Sequence, residues 1–317
     1  MNRDAVLELL PVDIAPYAAG NTGVAYVHRF TAAEPGPTLM INALTHGNEV
    51  CGAHALDVLL RAAIRPRRGT LILSFANVAA YETFDPAQPS ASRFLDEDFN
   101  RLWAASVLDG PRRSRELDRA RTLRPFIAEA DYLLDLHSMQ LPAPALMLCG
   151  EHRKGRDLAL KVAVPSHVVA DAGHANGTRM RDHGAFSDAA SPKTALLAEC
   201  GQHWERLSRT VAIETCLRWL VQLGALEFAD AEPVQPLPPV PPPRLIEVTD
   251  RITIASPNFR FVRDFKGLEV IPEAGTVIGY DEDRPVATPY GACVLIMPSR
   301  RLALGQTAVR LGRFVTV

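Results

Sequence analysis

The chain has 317 residues, enough for two domains of ordinary size or one large one. Hydrophobic residues make up 47% and charged residues 22%, which excludes a disordered, collagen-like or coiled-coil chain. With 34 basic against 36 acidic side chains there is no global positive field to make nucleic acid the main partner.

Asp4 and Glu8 interrupt the apolar residues near the start, against a secretory signal, and no apolar run approaches the ~20 residues of a membrane helix. Cys51, Cys149, Cys200, Cys216 and Cys293 are odd in number and form no C-x-x-C pair. They read as buried free thiols in a reducing compartment, so a cytoplasmic protein is expected.

In chain order, EPGP predicts a turn and TLMINAL (Thr38 to Leu44) a buried strand that runs into THGNE. Val50, Ala53, Leu56, Leu60 and Ile64 then recur at helical spacing. TLILSFANV (Thr70 to Val78) is a second strand, Pro111 to Glu129 an Arg-rich helix, and ADYLLDLHS (Ala130 to Ser138) a third strand. LMLCG, SHVVAD and TALLAECG (Thr194 to Gly201) follow as strands, the last leading into the helix WERLSRTVAIETCLRWLVQLG. Strands alternating with helices predict an α/β fold with a mixed sheet. From Pro233 to Pro243, seven of eleven residues are proline, a composition that favours an extended connection over helix or central strand. The expected organisation is a catalytic unit over 1–232, a linker over 233–243, and over 244–317 a small β-rich domain of short alternating runs split by Gly and Pro.

The residues suited to chemistry fall at strand ends. THGNE places His46 and Glu49 as H-x-x-E after the first strand, a spacing that lets an imidazole and a carboxylate meet one cation if a helical turn starts there. Alone, the pair equally describes a cap or a surface contact. His137 ends YLLDLH and would emerge at the same sheet edge, where α/β proteins hold their ligands. Two His and one Glu form the open site of zinc hydrolases. Asp135 lies on the same strand face as His137 and could fix the imidazole tautomer. SRFLDEDFNRLW concentrates Arg93, Asp98, Asn100 and Arg101, groups that suit carboxylates and carbonyls, although a solvated charged loop has the same composition. Glu199 ends an apolar strand, where an unpaired carboxylate is costly.

Taken in order, THGNE, SRFLDEDFNRLW, DLHS and AECGQ resemble the motifs of the succinylglutamate desuccinylase and aspartoacylase family, itself similar to zinc carboxypeptidases. The resemblance spans roughly residues 38 to 220. It implies a zinc-carboxypeptidase-like mixed sheet flanked by helices, with a small C-terminal β-rich domain, and one Zn2+ per chain on His46, Glu49 and His137. It further implies that Asn100 and Arg101 hold a substrate carboxylate, Arg93 polarises the scissile carbonyl, and Glu199 is the general base. The sequence departs from the commoner D-L-N-R at Phe99 and from E-x-G-P at Gln202, which leaves substrate identity open.

The implied reaction is hydrolysis of an N-acyl amino acid or related small carboxylate by metal-activated water, without nucleic acid or membrane as partner and compatible with a homo-oligomer. A metallocarboxypeptidase, or a binding protein on the same scaffold, are the competing readings. No G-x-S-x-G elbow supports a serine route. His54 is expected to pack or to lie on the surface, and His28, His152, His167, His174, His183 and His203 lack paired ligand spacing and are not expected to ligate metal. The Arg112 to Arg124 run reads as a solvated helix face or as charge that steers an anionic substrate, and Arg179 and Arg181 as residues of a plain loop or of one that sets specificity.

Overall fold

The computed structural model describes residues 7–173 and 176–316; His174 lies outside them. Its strands are β1 (Val27–Thr31), β2 (Glu34–Ala43), β3 (Arg68–Phe75), β4 (Tyr132–Met139), β5 (Leu146–Leu148), β6 (His167–Ala170) and β7 (Thr194–Gln202). After the proline-rich segment come β8 (Arg244–Thr253), β9 (Arg260–Phe261), β10 (Glu269–Ile271), β11 (Val277–Asp281), β12 (Arg284–Ala287), β13 (Cys293–Ile296) and β14 (Thr307–Val315).

Eleven of these strands form one mixed sheet in the order β1-β3-β2-β4-β7-β5-β6-β8-β14-β13-β10, and β12-β11-β9 form a small separate sheet. The centre is parallel: β2 pairs with β3 and β4, and β4 with β7. Parallel strands deliver their C-terminal ends to one edge, the usual ligand edge of an α/β sheet.

Alternation along each central strand sends side chains to two cores. Leu39, Ile41, Leu71, Leu73, Leu134 and Leu136 face a core shared with Leu56 and Leu59 of the helix Cys51–Arg61 and with Ala212, Cys216 and Leu220 of the helix Arg206–Gln222. Met40, Ile72 and Leu133 face the other side, where Leu117, Ala120, Leu123 and Ile127 of the helix Arg115–Glu129 cover them. Ser114 caps that helix by accepting the amide of Leu117 at 3.0 Å. A further core joins Leu148, Leu197 and Val169 to Ile246, Val294 and Ile296, so the strands after the proline-rich segment pack directly against those before it.

The expected mixed α/β sheet with flanking helices is present, with four local differences. EPGP is not a turn; Glu34–Pro37 belong to β2, whose register against β3 shifts between Glu34 and Thr38. The second strand stops at Phe75, because Val78 opens a short helix, Val78–Tyr81. The Arg-rich helix starts at Arg115. An antiparallel edge strand, β1, was not foreseen. The Arg run forms surface ion pairs, Arg113 with Asp118 and Arg115 with Asp96 among them. Arg119 instead turns inward to the carbonyls of Ala25, Phe75 and Ala76. Among the described residues no helix is long and apolar enough to cross a membrane, and all five cysteines are free and buried.

Candidate active site

The parallel register fixes the centre of the site. His137 of β4 sits opposite Glu199 of β7, and the loop after β2 brings His46 and Glu49 to the same edge, just before the helix Cys51–Arg61. His46 Nδ1 lies 2.8 Å from Glu49 Oε1, and His137 Nδ1 lies 2.9 Å from Glu49 Oε2. All three residues are buried, and one ligand atom from each lies within 4.8 Å of the others. This is the one such cluster among the described residues.

The outer faces of the two imidazoles indicate what the inner faces are for. His137 Nε2 contacts Asp135 Oδ2 at 2.7 Å, and His46 Nε2 contacts Asp98 Oδ1 at 3.0 Å. A carboxylate on Nε2 holds the proton there and leaves the Nδ1 lone pair bare, which is the arrangement of a metal-ligating histidine. Asp135 is itself fixed, because Asn42 Nδ2 and Thr45 Oγ1 both donate to its Oδ1 at 2.8 Å. Arg93 Nη2 also comes within 2.8 Å of His46 Nε2, but both atoms are donors once the proton sits on Nε2. Its productive partners are then Glu49 Oε1 at 3.1 Å and Asp98 Oδ2 at 3.2 Å. Burial alone would raise the Glu49 carboxyl, yet positive charge on the two imidazoles holds it well below the usual carboxylate range, a role that a cation held between them would take over once the imidazoles are neutral. The donor set therefore fits a divalent metal cation.

The segment from Arg93 to Arg101 is held in place from below. Glu116, fully buried, accepts the amides of Leu95 at 2.6 Å and Asp96 at 3.0 Å, and the side chain of Asn77 at 3.2 Å. Gly47, in the middle of THGNE, donates its amide to Arg93 O at 3.1 Å. A Cβ there would lie 2.4 Å from Ser92 O, so no larger residue allows this approach. Asn100 Oδ1 accepts the amide of Met180 at 2.9 Å, and Gly177 packs on the Arg101 backbone, where a Cβ would meet Arg101 O at 2.5 Å. The DFNR turn and the GTRMRD loop thus form one wall.

A cavity of about 250 Å³ opens on this centre. His46, Glu49, Arg93, Asn100, Arg101, His137 and Glu199 all line it, so every site residue expected from sequence reaches one space. Glu199 is 7% exposed and its Oε2 has no hydrogen-bond partner among the described residues. Burial, with the nearby charge of Glu49, pushes its carboxyl up to about 8 despite the opposing pull of His137 and Arg93.

Sequence reasoning missed part of the lining. Arg179 lies on the expected loop but is only 2% exposed. It pairs with Asp182 at 2.5 Å and with Asp171 at 3.3 Å. Arg310, from β14, reaches the same Asp171 at 3.0 Å. Arg179, Arg310, Arg301, Ser138 and His203 all line the cavity. Asp98 stood out in the sequence only as one charge among several; its position two residues before Asn100 was the available signal. Arg301 and Arg310 had none, since their approach depends on how β14 joins the sheet. His54 and His183 meet backbone carbonyls, of Leu10 and Trp103, outside the cluster.

The fold and centre together define an α/β protein with a His-Glu-His cluster at the open edge of a mixed sheet. The succinylglutamate desuccinylase/aspartoacylase catalytic domain matches residues 35–208, and the chain belongs to that family of hydrolases. Solved structures share the fold: succinylglutamate desuccinylase of Vibrio parahaemolyticus (18% identity, TM-score 0.69, covering 92% of this chain and 87% of that one) and that of Vibrio cholerae (19%, 0.69, 92% and 86%). Murine aminoacylase 3 is similar at 18% identity and a TM-score of 0.59, over 90% of this chain and 98% of that one. A search of curated proteins gave no match.

Proposed function

We propose that the chain is a zinc-dependent amidohydrolase that cleaves the amide bond of an N-acyl amino acid or a related small carboxylate. The observation that carries this reading is the convergence, in one cavity, of the His46-Glu49-His137 cluster, the unpaired buried oxygen of Glu199, and Arg101. Arg101 Nη1 donates to the carbonyl of Asn100 at 2.7 Å and has no carboxylate partner among the described residues.

His46, Glu49 and His137 would hold the metal, which when bound supplies Lewis acidity and makes hydroxide available at neutral pH. Glu199 takes a proton from the attacking water and returns it to the departing amine, and its buried oxygen, unpaired among the described residues, is free for both halves of that exchange. Arg93 offsets charge on the oxygen of the scissile carbonyl, a contribution of about 3 kcal/mol in comparable sites. Arg101 grips the α-carboxylate with two parallel donors, and Asn100, whose Oδ1 is engaged by Met180, offers its amide hydrogens to the same group.

Arg101 and Arg301 line the cavity with no ion-pair partner among the described residues, which supports an anionic substrate. The small volume, with a wall built from Met297 to Arg310, supports a small molecule over a peptide C-terminus. The free buried thiols support a reducing, cytoplasmic setting. Under the same reading 1–232 is the catalytic unit, 233–243 a linker and 244–317 a β-rich unit.

The test is metal analysis of the purified protein, followed by incubation of the zinc-loaded enzyme with a panel of N-acyl amino acids and of short peptides, with product identification. Release of a free acyl acid supports the proposal. Stepwise shortening of peptides would replace it with a carboxypeptidase, and inertness toward both with a binding protein.

A further inference from the structure

His203 follows the Glu199 strand, lines the cavity, and has no part in the metal cluster. It is 3% exposed, and its ring packs against Trp204 at 5.4 Å between centroids. His203 Nδ1 lies 2.8 Å from Ser138 Oγ. That hydroxyl has no other partner among the described residues, so its proton goes to Nδ1. Burial pushes the imidazole down to about 4, and a neutral ring that accepts at Nδ1 carries its one proton on Nε2. Nε2 has no protein partner among the described residues, which leaves a fixed donor for whatever enters the cavity.

Its place along the cavity follows from the charges around it. The charged groups acting on Arg101 are Asp98, Arg93, Arg179 and Arg310. Those acting on His203 are Glu49, Arg93, His46 and Arg301. Arg93 belongs to both sets, whereas Glu49, His46 and Arg301 act on His203 and Arg179 and Arg310 on Arg101, so the two groups have different neighbours in the cavity. If Arg101 takes the α-carboxylate and Arg93 the scissile carbonyl, His203 is a donor of the same cavity left for the acyl chain.

We propose that His203 determines acyl specificity: its Nε2–H, held toward the cavity by Ser138, donates to an oxygen borne by the substrate's acyl chain, with Arg301 beside it. A buried donor left unpaired costs more than a paired one returns, so the site should reject acyl chains of equal length that lack the oxygen. This rests on the amidohydrolase reading.

The experiment compares kcat/KM of the zinc-loaded enzyme on N-succinyl and N-pentanoyl derivatives of one amino acid, with the N-acetyl derivative as reference. Wild type should prefer the succinyl substrate. His203→Phe should cut that preference about tenfold or more, the value of one hydrogen bond of about 1.4 kcal/mol, while metal content and N-acetyl turnover persist. His203→Gln, which keeps a donor, should restore part of it, and Ser138→Ala should weaken it by freeing the ring. An unchanged preference in His203→Phe, or in His203→Gln and Ser138→Ala alike if the Phe variant does not fold, overturns the proposal. Nitrogen-15 NMR of labelled histidine supplies a readout independent of turnover: a proton on Nε2 of His203 is expected, and one on Nδ1 refutes the assignment. Should wild type hydrolyse none of the three substrates, the functional reading fails, and the tautomer still tests the donor.

Discussion

Asp171→Asn should weaken both the fold and the substrate grip, because Asp171 neutralises two arginines of the cavity wall. Its carboxylate is 1% exposed and meets Arg310 at 3.0 Å and Arg179 at 3.3 Å. Burial would raise its pKa, but the charges of Arg179 and Arg310 override that and hold it at about 2, against an ordinary 3.8. At 1.36 kcal/mol per pH unit, this gap is worth roughly 2.5 kcal/mol at pH 7. Leaving two buried guanidiniums facing an amide raises the expected loss to about 3–5 kcal/mol. The folded pKa is depressed, so the contribution is full above about pH 4 and is lost as pH falls through about 2. Urea titrations of the metal-loaded protein at several pH values should therefore show a gap between wild type and variant that is widest near neutrality and narrows on acidification. Adding Arg310→Met to the variant should recover part of the loss by removing an unpaired charge. A gap below about 1 kcal/mol at pH 7, or one that does not narrow in acid, would show that the Asp171 pairs do not hold this wall together.

Three further outcomes test the centre itself. Asp135→Asn should lower metal affinity by about 10- to 100-fold in chelator competition, since the amide no longer fixes the His137 tautomer; unaltered affinity would remove Asp135 from that role. Glu199→Gln should keep stoichiometric metal and lose turnover by about 10²- to 10⁴-fold, and full activity would exclude it as the base. Arg101→Lys should raise KM more than it lowers kcat, because a point charge replaces a planar fork. If the lysine variant separates a substrate acid from its amide as sharply as wild type does, Arg101 is not the carboxylate anchor.

The parts of the site that could be read from sequence are those in which a short motif and a strand end coincide. His46 and Glu49 share one turn, His137 terminates an apolar run, and Glu199 stands out as a carboxylate where burial is expensive. Asp135 was visible through the period-2 rule, which puts it on the face of His137. The burial of Arg179 was hidden because a buried arginine is indistinguishable in sequence from a solvated one; only its pairing with Asp171 and Asp182 accounts for it. Arg310 and Arg301 were hidden for a topological reason, since β14 reaches the cavity by pairing with β8, which itself pairs with β6. EPGP misled because proline and glycine were read as a turn, whereas the shifted register at the start of β2 accommodates them.

That topology also bears on the strands beyond the proline-rich segment. β8 extends the sheet from β6 through Arg244, Leu245, Ile246 and Glu247, and Ile246, Val294 and Ile296 are buried against Leu148, Leu197 and Val169. Ending the chain at Pro243 would expose that shared core and leave β6 as an open edge, a form prone to aggregation. It would also strip Asp171 of Arg310 and remove Arg301 from the cavity. Leaving one large apolar side chain exposed costs about 1.5–3 kcal/mol, so exposing several of them is a large perturbation against the 5–15 kcal/mol by which a domain is ordinarily stable. The expected result for the metal-loaded full chain is a single calorimetric transition, with Ile246→Ala lowering its midpoint and Asp171→Asn shifting the whole of it. Two transitions, with Ile246→Ala moving only one of them, would mean that residues 244–317 fold independently and merely rest against the cavity they line.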